Sequence, residues 1–117
     1  MHLHEYPEAI ALCRKRLISL ELSVESLAEL VKAYEGEIKL KVAFDQSLKN
    51  EAQRKAKELE LRANPRGDYA QMNQELKQHR EEKEMQECQL ELLRNQFSLL
   101  KLELKKQIAE LEILQPA

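Results

Sequence analysis

From Ile10 onward the apolar residues of this chain return every seventh position, at Ile10, Leu17, Val24, Val31 and Ile38. Cys13, Leu20, Leu27 and Tyr34 stand three places after the first four. A strict seven-residue repeat keeps one face of an α-helix turned toward a helical partner and winds the pair into a left-handed supercoil. The same register then runs through Lys41, Asp45, Leu48, Ala52, Lys55, Leu59 and Arg62, so the seam turns polar and small. A second run opens polar, with Tyr69, Met72, Leu76, His79, Lys83 and Gln86. It closes apolar, with Leu90, Leu93, Phe97, Leu100, Leu104, Gln107, Leu111 and Leu114.

Between the two runs lies Asn64-Pro65-Arg66-Gly67-Asp68. Pro65 lacks an amide hydrogen and disfavours the α region at Asn64, so a helix arriving from the N-terminal side ends near Ala63. Gly67 permits the positive φ that a tight reversal often uses. Asp68, three residues before Gln71, reads as an N-cap with a capping-box partner. The competing reading makes Asn64 the cap and Pro65 the first helical residue. At the other end of the first arm, Pro7 followed by Glu8 marks a helix start.

The two runs mirror each other about this break. Seam positions whose numbers add to 131 pair Leu17 with Leu114, Leu20 with Leu111, Tyr34 with Phe97 and Ile38 with Leu93, while Asp45 meets Gln86 and Ala52 meets His79. Each pair joins the two kinds of seam position, as antiparallel coiled coils require. The expected fold is all-α: a single helical-hairpin domain over residues 1–117, with helix 1 over about 7–63, a turn at 64–68 and helix 2 over about 69–114. In this register Glu35 reaches Arg94 or Lys101, and residues 1 to about 15 have no opposite number. The alternative is a parallel dimer kinked at the break, which β-branched residues alternating with leucine between Leu17 and Ile38 favour.

Composition agrees with long amphipathic helices: charged residues are 34% of the chain, aromatics 4%, and glycines number two. A net charge of -2 supplies no general attraction to nucleic acid or anionic lipid. No apolar stretch is long enough to cross a membrane, and Met1 to Pro7 lacks the order of a signal peptide. The expectation is a cytoplasmic protein with no membrane association. In the 131 register Cys13 and Cys88 lie ~45 Å apart, too far for a bridge, so both read as small apolar core residues in a reducing compartment.

Beyond the seam, helix 2 carries Met85, Cys88, Leu92, Leu99, Leu102, Ala109 and Ile113 at helical spacing, and helix 1 adds Leu12, Ile18, Leu22 and Leu30. A two-helix pair buries one stripe per helix, so leaving these in water forfeits on the order of 10 kcal/mol. Leu12, Ile18, Leu22, Leu30, Leu92, Leu99, Leu102 and Ile113 are therefore the expected oligomer interface, closing two hairpins into a four-helix bundle. The expected function is a non-enzymatic scaffold or adaptor, a homodimer presenting charged stalks to a protein partner. One alternative is a nucleic-acid-binding accessory protein using Arg14, Lys15, Arg16, Arg54, Lys55 and Lys57. The other is a subunit of a heteromeric complex.

Candidate chemistry is sparse. His2 and His4 form a two-ligand motif without a third ligand. His79 has Glu75 and Glu82 one turn either side, but a di-iron bundle needs a second Glu-x-x-His and further carboxylates. Neither cysteine has a histidine on its helical face, and no glycine-rich phosphate loop exists. No catalytic residue, cofactor or metal is expected. Arg66-Gly67-Asp68 is a tripeptide known in adhesion, and turn chemistry accounts for it here.

Overall fold

The computed structural model describes residues 1–115, and they are all-α, built from helices that pair antiparallel within the units described below. A 3-10 turn over Leu3–Glu5 leads into α1 (Tyr6–Ala43), followed by α2 (Glu51–Ala63) and α3 (Asp68–Leu114). The chain divides into two compact units: residues 1–19 with 83–117, and residues 20–82.

In the first unit, α1 and α3 pack around Tyr6, Cys13, Leu90 and Leu93, with Ile10, Leu17, Phe97 and Leu100 against them. The rings of Tyr6 and Phe97 stack at 5.5 Å with 14° between their planes, an offset arrangement that aromatic pairs favour. Farther along α1, the thiol of Cys13 donates to the side-chain oxygen of Gln86 at 3.4 Å. Advancing along α1 from Tyr6 to Cys13 thus means retreating along α3 from Phe97 to Gln86, so the two helices are antiparallel. Tyr6 extends the seven-residue repeat one heptad before Cys13.

The register differs from the one expected. Phe97 meets Tyr6 and not Tyr34, and Leu93 shares a core with Cys13 and not with Ile38. The Tyr6–Phe97 numbers add to 103, and 131 exceeds this by 28, or four heptads. A slide by whole heptads leaves every seam position on the same face and opposite the same kind of position. The slide also brings Cys13 level with Gln86, so the expected ~45 Å between the thiols does not hold. Both cysteines are free, Cys13 buried and Cys88 exposed, which removes Cys88 from the core. Residues 1 to 15 are not the overhang either, because Tyr6, Ile10 and Cys13 already lie in the core.

In the second unit, the helix expected to run to residue 63 stops at Ala43. Arg62 in the last turn of α2 bonds Glu35 at 2.8 Å. A continuous helix would separate residues 27 apart by ~40 Å, so the chain reverses between α1 and α2. Hydrogen bonding explains how a segment without proline or glycine does so. The Asp45 carboxylate accepts from the Ser47 hydroxyl at 2.6 Å and from the Ser47 amide at 3.0 Å. Asn50 caps α2 by accepting from the Gln53 amide at 2.8 Å, and the Gln53 side chain accepts from the Lys49 amide at 2.7 Å. These bonds satisfy amides that a helix start leaves open.

The loop also resets the helical phase. Lys41, expected in the seam, is exposed while Val42 is buried. On α2 the half-buried residues include Glu58, Leu61 and Arg62, while Lys55 and Leu59 are exposed. Glu35 bonds Arg62 and Lys39, not Arg94 or Lys101. On α3, Leu76 is the most deeply buried side chain, at 3% exposure.

The break at 64–67 falls where expected, but its chemistry does not. No residue there has positive φ. Gly67 leaves little room for a side chain: a Cβ would lie 3.2 Å from the Asn64 carbonyl oxygen, which accepts the Gly67 amide at 3.0 Å. Asn64 is the C-cap of α2, and α3 begins at Asp68 itself, whose predecessor Gly67 accepts from the Gln71 amide at 3.2 Å. Neither cap assignment made from sequence is therefore the observed one.

Two outcomes follow from these contacts. Leu76→Ala removes a buried side chain and lowers the unfolding free energy by ~2–5 kcal/mol in urea titration. The two bonds from Ser47, the hydroxyl's first, hold the Asp45 carboxyl below its usual range. A depressed carboxyl favours the folded loop above the ordinary aspartate value of ~3.9 and loses that contribution as pH falls through the folded value. Ser47→Ala therefore raises the Asp45 midpoint toward ~3.9 in an NMR titration, moving the acid limit of loop stability to higher pH.

Candidate functional site

The eight side chains expected to form an interface are all exposed. Leu12, Ile18, Leu92, Leu99, Leu102 and Ile113 lie in the first unit, Leu22 and Leu30 in the second. Each sits off the buried seam because the repeat fixes one face of the helix inward and these residues fall on other faces. The first unit further exposes Met85, Ile108, Leu111 and Leu114. Leu111 and Leu114 belong to the seam itself and were expected against Leu20 and Leu17. Leu17 instead packs in the core formed by Tyr6, Cys13, Leu90 and Leu93.

The basic residues selected from sequence are dispersed. Arg14, Lys15 and Arg16 are exposed on α1 in the first unit, and Arg54 and Lys55 are exposed on α2 in the second. Lys57 is half-buried and pairs with Glu60 at 3.7 Å.

The second unit instead assembles a basic groove that sequence reasoning missed. Arg62, Tyr69, Ala70, Asn73, Gln74, Lys77 and Arg80 line an open cavity of about 380 Å³ with no carboxylate among them. Arg62 anchors one end: its guanidinium bonds Glu35 at 2.8 Å and Glu58 at 2.7 Å and lies 5.6 Å from the centre of the Tyr69 ring. Its charge is answered by those two carboxylates. Lys77 and Arg80 make no ion pair among the described residues, and Asn73 and Gln74 are exposed beside them. The available signal was the spacing of Asn73, Lys77 and Arg80 at steps of four and three, which puts them on one helix face.

A smaller cavity of about 220 Å³ lies where Tyr34, Ile38 and Lys41 of α1 meet Leu61 and residues 64 to 69. Glu37 and Asp68 line it together with Lys41 and Arg66, so it carries no net charge preference. Asn64, Gly67 and Asp68 of the break form part of its wall, whereas Pro65 lines a separate cavity with Ala63, Ala70, Gln71 and Gln74.

The histidines make local contacts. His2 and His4 stack at 5.9 Å, and Nδ1 of His79 is 2.9 Å from the Glu75 carbonyl oxygen. The Glu5 carboxylate, which accepts from the His2 amide, is held below its usual range chiefly by that bond. Among the described residues no group of three His, Cys, Asp or Glu is placed to hold a metal ion, and no helix is long and apolar enough to cross a membrane. Comparison with protein-family models, with curated proteins and with solved structures found no match.

Proposed function

We propose that this protein is a non-enzymatic scaffold that self-associates through the apolar side chains its helical pairing leaves in water. The observation that carries this reading is the second stripe of α3, where Leu92, Leu99 and Leu102 are all about half exposed or more. Burying one such side chain contributes ~1.5–3 kcal/mol, and a contiguous apolar patch of this kind marks an interaction surface. A second copy carries the same patch and can bury it by two-fold symmetry. The mixed charges elsewhere on the helices would then face a further protein partner at a spacing set by rigid helices, which rise ~1.5 Å per residue. On this reading the protein works in the cytoplasm by holding partners at fixed separation.

Exchanging Leu92, Leu99 and Leu102 together for glutamate leaves helix content unchanged by circular dichroism and converts the dimer to monomer in light scattering at micromolar concentration. Unchanged mass in the triple variant, or a monomeric parent, overturns the proposal.

The basic groove favours a second reading, binding of a single-stranded nucleic acid along α3. Lys77 and Arg80 would contact phosphates, and Asn73 and Gln74 would donate from their amides. Lys77→Glu combined with Arg80→Glu then abolishes the rise in anisotropy that the parent causes in a labelled oligonucleotide at low salt. Parent binding should weaken about as a one- or two-contact salt dependence requires; no binding by the parent removes this reading.

A further inference from the structure

The seam of α3 continues past the point where α1 covers it. Leu90 and Leu93 are buried, Phe97, Leu100 and Leu104 are half-buried, and Leu111 and Leu114 are 62% and 79% exposed. Leu104, Gln107, Leu111 and Leu114 nevertheless keep the alternating spacing of three and four that defines the paired face. We infer that these last turns of α3 pair antiparallel with the same turns of a second copy, extending the intrachain seam into an intermolecular one. The inference rests on the self-association proposed above and adds to the Leu92–Leu102 stripe a second contact that the dimer also requires.

Three observations select this occupant. The first is continuity: the exposed leucines prolong an interface the chain already makes, so a helix with a matching heptad strip completes it without changing face. The second is availability. Ile10 and Leu17 of α1 already pack in the core of the first unit, whereas Leu111 and Leu114 of a second copy are as uncovered as those they would meet. A contact between identical strips is self-complementary and closes after two copies.

The third is charge, which fixes direction. Residues 101 to 106 carry Lys101, Lys105 and Lys106 against Glu103, and residues 110 to 114 carry Glu110 and Glu112. An antiparallel pair lays the basic half of each helix over the acidic half of the other, while a parallel pair lays like on like. Joining the two kinds of seam position puts Leu104 opposite Leu114 of the second copy and Gln107 opposite its Leu111. The two-fold axis then crosses at the level of residue 109, where exposed Ile108 flanks the seam and can cover its margin.

The test uses the full chain. Leu111→Glu with Leu114→Glu raises the dimer dissociation constant by about 100-fold or more in sedimentation, with helix content unchanged because both side chains are exposed in the single chain. A dimer insensitive to that pair but abolished by glutamate at Leu92, Leu99 and Leu102 overturns the assignment to the tail and leaves self-association standing. A parent chain that stays monomeric overturns both. Direction is read by spin labels at Ile108→Cys and, separately, Ser98→Cys, in a Cys13→Ser, Cys88→Ser background. Antiparallel pairing gives a separation of ~10 Å at 108 and at least ~33 Å at 98, and a separation at 98 well below ~33 Å overturns it.

Discussion

The packing of Tyr6 and Cys13 against Leu90, Leu93 and Phe97 is the contact on which the register of the first unit depends. Coiled-coil seams are periodic, and a periodic surface offers several nearly equivalent alignments separated by whole heptads. What breaks the near-degeneracy is a set of particular shapes. The Tyr6 and Phe97 rings stack, the Lys101 ammonium sits 4.3 Å from the Phe97 ring centre, and the Cys13 thiol donates to the Gln86 amide oxygen. The last contact also explains how a glutamine is tolerated in a buried seam, since a part-buried amide without a partner is costly.

In the second unit the corresponding constraint is electrostatic and steric together. Arg62 sits between two carboxylates from different helices while stacking on Tyr69, so α1, α2 and the start of α3 converge on one side chain. The Arg62 Nε is buried without a partner, an unmet donor offset by the strong charge-assisted bonds at the other end of the guanidinium. Lysine would keep the charge and could reach the carboxylates, but it lacks the planar guanidinium that lies over the Tyr69 ring.

The face of each helix was legible in the sequence because burial follows the seven-residue repeat. Ile10 to Ile38 on α1 and Tyr69 to Leu104 on α3 are the residues turned inward. The alignment was not legible, because Tyr34 and Tyr6 are four heptads apart and offer Phe97 the same kind of ring. The reversal at 44–50 was missed because it uses neither proline nor glycine. Its signals were present all the same: Asp45 two residues before Ser47 is an Asx-type turn, and Asn50 three residues before Gln53 is a capping pattern. The polar seam residues Lys41 and Asp45 marked the same place, where a heptad reading treats them as decoration. Pro65 and Gly67 marked a true interruption, but a proline shows only that a helix stops and not which way the chain leaves.

The heptad slide decides what is left over. In the 131 alignment Leu111 and Leu114 would be satisfied within the chain, and excess apolar surface would come only from positions off the seam. In the observed alignment the end of α3 is apolar on two opposite sides, with Leu104, Ile108 and Leu111 on one and Leu102, Ala109 and Ile113 on the other. A helix apolar on both sides is characteristic of a buried position among several helices, and one α1 cannot occupy both. An isolated two-helix pair would leave such a segment half wet, whereas a bundle of paired hairpins can cover both sides. The same register that buries Tyr6 therefore leaves the end of α3 apolar and uncovered.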